Sequence, residues 1–516
     1  MIFAAQIYAL TEKHWPARWI LLVAGALTPL IFAPFYIWPL AYVLPILFWW
    51  LTAQQTRREA FLRGWFFGIG FFGTGVSWVY FSMRTVETPI PISLVLTTAF
   101  CVAMGLLFAL QAWLPAYVRQ RFFANARLHW TTFPVLWLAF EGVRTTLFTG
   151  MPWLLWGTLA TDNWLRGWLP VTGVFGVSFL VLFGAALLWQ CRYPTKSVRH
   201  WVVAGAFLVF SWGIGFTITD RHYTQPSLSQ PMPVAAVQGN TDQSIKWDAQ
   251  ILNEILSIHL ALADRHSEAA LVLWAETAIP TFPDAVPGFV GALEHRAVAR
   301  EQAIVSGLPL RGEGRTYYNG IKAWGTGQGE YRKQHLVPFG EYLPLQSVLQ
   351  GLIAFFDLPM SGFTPGPSGQ APMTMYYAGN RLTLAPLICY EAAYPNLSRQ
   401  QAIGSDILIV VSNDAWFGGS LAPEQHLQIT RVRTIENQRP MVRATQNGIS
   451  VILDEHGQVL ARAPQFVQAT VAGEILPRHG LTPYQRLGSW PIAILTILLG
   501  AFSLVRARRN AGQTAR

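Results

Sequence analysis

Apolar residues follow two regimes along this chain. Over the first 219 residues, and again near 490–505, they form almost unbroken runs, whereas between these regions they come in short bursts separated by polar stretches. Runs long enough to cross roughly 30 Å of hydrocarbon lie near 19–34, 36–53, 62–83, 91–118, 131–148, 168–190, 200–219 and 490–505. They predict a polytopic α-helical membrane domain of about eight spans. Pro29, Pro34, Pro39 and Pro45 interrupt the first pair, so a kinked hairpin is expected there. The early run passes into another apolar run rather than a small-residue cleavage site, and reads as an uncleaved anchor.

The insert, residues 220–485, has a different rhythm. Segments 232–238, 270–274, 303–306, 384–389 and 406–411 read as strands, while 248–264, 287–302 and 424–437 carry helical periodicity. Alternation of this kind predicts an α/β domain. Short strands are expected over 440–475, with Asp454 to Gly457 as a hairpin turn. The division is therefore a seven-span membrane domain at 1–219, one large domain at 220–485, and an eighth span with a basic tail at 486–516.

Composition agrees with a membrane setting, with 52% hydrophobic and 12% charged residues and a mean hydropathy of +0.31, far from soluble averages. The net charge of +10 requires no nucleic-acid partner, because much of it sits in loops. Lys13, Arg18, Arg57, Arg58, Arg63, Arg119, Arg121, Arg127, Arg192, Lys196, Arg199, Arg506, Arg508 and Arg509 flank alternate span ends. By the positive-inside rule, both termini face the cytoplasm and the 220–485 insert faces the other side. Three cysteines, Cys101, Cys191 and Cys389, imply no disulfide framework.

Candidate chemistry lies where strands of the insert stop. Cys389 ends the run LAPLIC, although a lone Cys in such a run is by itself more often a small buried hydrophobe. Glu276 follows 270–274, and SNDAWFG (412–418) follows 406–411; ligands of α/β sheets gather at such carboxyl ends. Lys333 and Glu341 lie between them in the chain. A thiol needs a base to become a thiolate, and the oxyanion formed by its attack on a carbonyl needs a positive group. Glu276, Lys333 and Cys389 supply those roles.

At these residues a resemblance becomes specific. WxETAIP around Glu276, KxHLVPFGE from Lys333 to Glu341, and LICYE around Cys389 resemble the three catalytic blocks of the nitrilase, or carbon-nitrogen hydrolase, superfamily. Together with the spans and with SNDAWFG, they resemble its membrane branch, the bacterial apolipoprotein N-acyltransferase family, over nearly the whole chain. That resemblance implies a four-layer α-β-β-α sandwich and a catalytic triad of Glu276, Lys333 and Cys389. It implies transfer of the sn-1 acyl chain of a phospholipid such as phosphatidylethanolamine, through a Cys389 thioester, to the amine of diacylglyceryl-cysteine in an apolipoprotein. It implies no metal or other cofactor, and a bacterial inner-membrane location with a periplasmic catalytic domain. Glu341 matches a carboxylate that orients Lys333, and Tyr390 and Glu391 match supporting positions beside the nucleophile.

Other residues admit two readings each. Trp247 resembles a substrate-contacting position, yet a Trp beside a membrane also suits an interfacial anchor. Asn319 could donate to the lipid, although Asn-Gly between strand-like runs commonly marks a turn. Phe356, in an amphipathic stretch at 345–356, together with Trp416 and Phe417, would border an acyl-chain entrance; the stretch equally fits a core helix. GIGFFG (68–73) satisfies a dinucleotide-binding pattern but lies within an apolar span, where close helix packing explains its glycines. Two rival functions are a membrane-anchored carbon-nitrogen hydrolase, with water as acceptor, and a non-catalytic membrane protein with a degenerate domain.

Overall fold

A computed structural model of the chain describes residues 13–85, 87–123, 128–191, 198–338, 340–342 and 362–514. It divides into two compact units: Met1–Arg221 with Gly419–Gln428 and Leu487–Arg516, and His222–Gly418 with Ile429–Arg486.

The first unit is helical. Among the described residues, Ile90–Phe122, Trp164–Gln190, Val198–Thr217 and Trp490–Ala511 are long and apolar enough to cross a bilayer. Arg57–Gly75 with Trp78–Thr85, bent by 49°, would make a fifth span. His14–Ala26, Leu40–Thr52 and Thr132–Thr146 coincide with the remaining apolar runs but are only 13, 13 and 15 residues long. Prolines account for the first two lengths: Pro29 opens the 3-10 turn Thr28–Ile31 and Pro39 precedes the helix at Leu40.

Two glycines of this unit serve close helix packing. A Cβ on Gly68 would stand 2.5 Å from Gly105 O, and one on Gly64 would stand 2.4 Å from Phe108 O. Arg57–Gly75 therefore lies against Ile90–Phe122 at backbone contact, as small-residue interfaces allow. Gly419–Gln428, which the sequence pattern assigns to the polar insert, belongs to this unit. Gln425 Oε1 accepts from Trp153 Nε1 at 2.7 Å, and Gln428 Oε1 accepts from Ala33 N at 2.9 Å.

The second unit is built on two large sheets, beside a short pairing of Gln225–Pro226 with Arg478–His479. The strands of the large sheets are β1 (Met232–Gln238), β2 (Leu271–Trp274), β3 (Ala303–Arg311), β4 (Tyr317–Gly325), β5 (Gly327–Gln328), β6 (Glu330–Arg332) and β7 (Met373–Tyr377). They continue with β8 (Asn380–Ile388), β9 (Ile407–Ser412), β10 (Met441–Thr445), β11 (Val451–Leu453), β12 (Val459–Arg462) and β13 (Ala469–Ile475). One sheet has the order β13-β1-β2-β3-β4-β6 and the other β12-β11-β10-β9-β8-β7-β5. Strands β1, β2 and β3 run parallel, as do β8, β9 and β10.

Alternation along the strands sorts their side chains. Val234 and Ala236 of β1 and Leu271 and Leu273 of β2 share one buried cluster with Leu384 and Ile388 of β8 and Ile407, Ile409 and Val411 of β9. The intervening Ala235, Val237, Val272 and Trp274 pack with Leu256 and Leu262 of the Leu252–Asp264 helix and Leu293 and Ala297 of the Pro287–Ala299 helix. A period of two thus buries both faces of the parallel strands. The hairpin turn is at Asp454 to Gly457, where Gly457 N donates to Asp454 O and Gly457 adopts a φ of +71°.

One of the two readings of Asn319 is excluded. Asn319 and Gly320 do not form a turn but sit inside β4, paired with Pro309 and Leu308 of β3. The glycine is there for space, since a Cβ would meet Leu310 Cδ1 at 2.3 Å and Tyr331 O at 2.9 Å.

Candidate active site

Polar residues follow directly on the carboxyl ends of β2, β8 and β9. Glu276 follows Trp274 of β2, Cys389 follows Ile388 of β8, and Asn413 follows Ser412 of β9. Lys333 follows Arg332 of β6, and its N–H donates to Asn319 O at 2.8 Å.

Glu276 is 5% exposed and fully engaged. Its Oε1 accepts from Asn319 Nδ2 at 2.7 Å and from Lys333 Nζ at 3.3 Å, while Oε2 accepts the backbone N–H of Asn413 at 2.7 Å. Lys333 Nζ also donates to Glu341 Oε1 at 2.9 Å, which accepts from Asn319 Nδ2 as well, at 2.7 Å. Val337 N donates to the other Glu341 oxygen at 2.8 Å and fixes that carboxylate. Burial opposes the charge on Lys333, but Glu276, Glu341 and Cys389 outweigh it and hold the ammonium well above the usual lysine range. Glu276 and Lys333 are thus a buried pair and not a solvated one.

Cys389 stands at a strained point. Its φ is +52°, a left-handed conformation uncommon for a residue with a Cβ. The 3-10 turn Cys389–Ala393 begins there. Burial pushes the thiol up to about 12, helped by the charges of Glu276 and Asp414 and resisted by Lys333 and the Ser412 hydroxyl. Burial therefore favours the protonated thiol over the thiolate at this position.

The residues that follow Cys389 are buried as well. Glu391 is fully buried and accepts from Tyr331 Oη, Gln334 N, His335 N and Ile388 N. Burial pushes its carboxyl up to about 7, against those backbone N–H groups and the charge of Lys333. Tyr390 is buried, with its ring 5.3 Å from that of Tyr394 in an edge contact. Asp414 is sealed by Arg443 Nη2 at 2.8 Å and Ser412 Oγ at 2.6 Å.

Trp247 packs, half-buried, against a cluster of Leu336 and Phe363 that also includes Tyr317 and Tyr342. Trp416 is half-buried and Phe417 buried in the turn Asp414–Phe417. Phe356 and the 345–356 stretch lie outside the described residues.

Sequence reasoning missed two contributors. Lys246 Nζ donates to Glu276 O at 3.1 Å and to the Thr277 hydroxyl. Asn413 binds Glu276 through its main chain and Gln243 Oε1 through Nδ2 at 2.6 Å. Only the position of Asn413 at a strand end hinted at it. Asn319 Oδ1 and Asn413 Oδ1 are buried acceptors without a protein partner among the described residues. One cluster, His222, Glu455 and His456, has metal-ligand atoms within 4.8 Å of one another, but Glu455 already accepts from Arg478 Nη1 at 2.9 Å.

Comparison with known proteins covers both units. A family model described as the apolipoprotein N-acyltransferase N-terminal domain matches residues 24–187, and one described as carbon-nitrogen hydrolase matches residues 233–480. Curated relatives named apolipoprotein N-acyltransferase include one from Pseudomonas syringae pv. tomato, 40% identical over 97% of this chain and 98% of its own. One from Azotobacter vinelandii is 41% identical over 97% of each chain. One from Coxiella burnetii is 33% identical over 92% of this chain and 97% of its own.

Proposed function

The chain belongs to the apolipoprotein N-acyltransferase family, and from that premise we propose that it moves the sn-1 acyl chain of a phospholipid, through a thioester on Cys389, to the amine of diacylglyceryl-cysteine in an apolipoprotein. The observation that carries this reading is the buried network in which Glu276 and Glu341 share Lys333 beside the Cys389 turn.

Glu276 takes the thiol proton as Cys389 Sγ attacks the ester carbonyl. Lys333 faces the developing oxyanion. Collapse breaks the acyl–oxygen bond, and the proton on Glu276 passes to the departing lysophospholipid oxygen. In the second step the lipoprotein amine attacks the thioester, Glu276 accepts a proton from nitrogen, and the thiol is restored. The two unpartnered amide oxygens, on Asn319 and Asn413, can accept from the incoming amine, since buried acceptors favour partners.

In this reading the protein lies in the bacterial inner membrane with about eight spans and cytoplasmic termini. The 220–485 domain is a periplasmic four-layer sandwich, and phosphatidylethanolamine is a donor. The hydrolase alternative is not favoured, because relatives spanning both units carry the transferase name. Intact mass of the purified enzyme after exposure to phospholipid without acceptor tests the proposal. One acyl group should be gained, absent in Cys389→Ala; a transfer-competent enzyme with no adduct on Cys389 would refute it.

A further inference from the structure

Lys246 belongs to no motif and sits in the loop between β1 and the Leu252–Asp264 helix. Its side chain is nonetheless only 1% exposed, and lysine is almost never fully buried without a partner. Its Nζ is spent on the Glu276 carbonyl, at 3.1 Å, and the Thr277 hydroxyl. Burial depresses the ammonium to about 7, with the Glu276 charge holding it up.

The backbone it grips is strained. Thr277 has a φ of +47°, a genuine outlier for a β-branched residue. The turn is also pressed onto β3, where a Cβ on Gly307 would lie 2.7 Å from both Glu276 Cα and Thr277 N. Strained conformations persist only where the surroundings over-determine them. The Lys246 loop provides a second hold three residues earlier, because Gln243 Oε1 accepts from Asn413 Nδ2, and Asn413 N–H donates to Glu276 Oε2. One loop therefore acts on both ends of Glu276, on its main chain through Lys246 and on its carboxylate through Asn413.

We propose that Lys246 is the positioning residue for the general base: its ammonium holds the Glu276–Thr277 turn and adds, beside Lys333, a second positive charge close to the Glu276 carboxylate. The proposal rests on Glu276 being the base of the acyl transfer. The charged and titratable groups in play are Glu276, Lys333, Glu341, Cys389 and Asp414, together with His259 from the Leu252–Asp264 helix, which Lys246 faces electrostatically. Through Glu276, the ammonium acts on the base without touching substrate.

The test is thioester formation on Cys389 in the full-length enzyme, followed by intact mass with phosphatidylethanolamine vesicles across a pH series. Lys246→Met keeps the bulk of the side chain and removes its charge. It should slow thioester formation by ~10²-fold, the scale of a misaligned catalytic group, leave the KM for phospholipid unchanged, and move the acid limb of the rate profile to higher pH. Lys246→Arg should recover part of the rate. A Met variant with the wild-type rate would overturn the proposal, as would a loss that tracks the folded fraction with the acid limb unmoved. If Lys246→Met does not fold, Thr277→Val removes only the hydroxyl that the ammonium holds. A loss of about tenfold, on the scale of one charge-assisted hydrogen bond, supports the proposal, and an unchanged rate overturns it. Failure of the wild-type enzyme to form any Cys389 adduct would refute the thioester reading itself, a result distinct from these.

Discussion

Glu391, two residues after Cys389, accepts the backbone N–H of Gln334, the residue after Lys333, at 2.6 Å. The same oxygen takes Tyr331 Oη at 3.0 Å and His335 N at 3.2 Å, and the second oxygen takes Ile388 N at 2.8 Å. One buried carboxyl group thereby ties Ile388, just before Cys389, to Gln334 and His335, just after Lys333. The resemblance implies a supporting role for Glu391, and these contacts are what such a role would use.

Glu391→Gln should separate this pinning role from acid–base chemistry. The amide presents two hydrogens to a site surrounded by donors, so at least one of the four donors loses its acceptor. Leaving a buried donor unsatisfied costs about 1–3 kcal/mol, and a lower melting temperature is expected. Thioester formation should fall by ~10²-fold because Lys333 and Cys389 lose their mutual register. A variant that keeps its melting temperature and its rate would show that the four contacts are dispensable.

The thiol of Cys389, pushed up to about 12, leads to a second expectation. Above its ordinary value the thiol stays protonated at neutral pH, so the thiolate population keeps growing as pH rises. Alkylation by a small reagent such as iodoacetamide should therefore keep accelerating through mildly alkaline pH without a plateau near neutrality. Lys333→Met should slow it further, because the ammonium that favours the thiolate is gone. A plateau near neutral pH would mean that Cys389 rests as a thiolate.

How much of this was legible in the chain depended on how local the signal was. Glu276, Lys333 and Cys389 stood out because each sits in a block resembling the nitrilase superfamily, with Glu276 and Cys389 also placed at the ends of short strand-like runs. Asn319 stayed open between a ligand contact and a turn, since Asn-Gly is the strongest short-range hairpin signal, and only the turn reading is excluded. In the fold, the demand for space beside Leu310 and Tyr331 decides instead. Lys246 was invisible because its burial depends on Glu276, thirty positions away. Segment 424–437 was readable as a helix, but nothing in its own residues announced that Gln425 and Gln428 would bond Trp153 and Ala33.

The loop charges predict an orientation in the membrane, and a fusion experiment tests it. A reporter active only in the periplasm should work when fused after residue 225 and fail when fused after Arg509. The reverse result would place the site on the cytoplasmic side, away from exported lipoproteins.

The last prediction concerns the acyl chain. Trp247, Tyr317, Leu336, Tyr342 and Phe363 form one apolar cluster, and Leu336 is three residues along the chain from Lys333. A chain held in water instead of an apolar channel forfeits about 0.8 kcal/mol per CH₂, so long donors depend on such a surface and short ones do not. Trp247 has a buried indole nitrogen without a hydrogen-bond partner among the described residues, which leaves packing as its evident contribution. Trp247→Asp should therefore depress turnover of a long-chain phospholipid by ~10²-fold or more, the cost of several exposed methylenes. Reaction with a short, water-soluble ester should change only a few-fold. Trp416→Asp, in the half-buried turn after β9, should act in the same direction. The decisive measurement is the ratio of kcat/KM for the two esters in each variant, with thermal melting as a control for the fold. An unchanged ratio would assign Trp247 to anchoring or core packing and leave the acyl chain to a different surface.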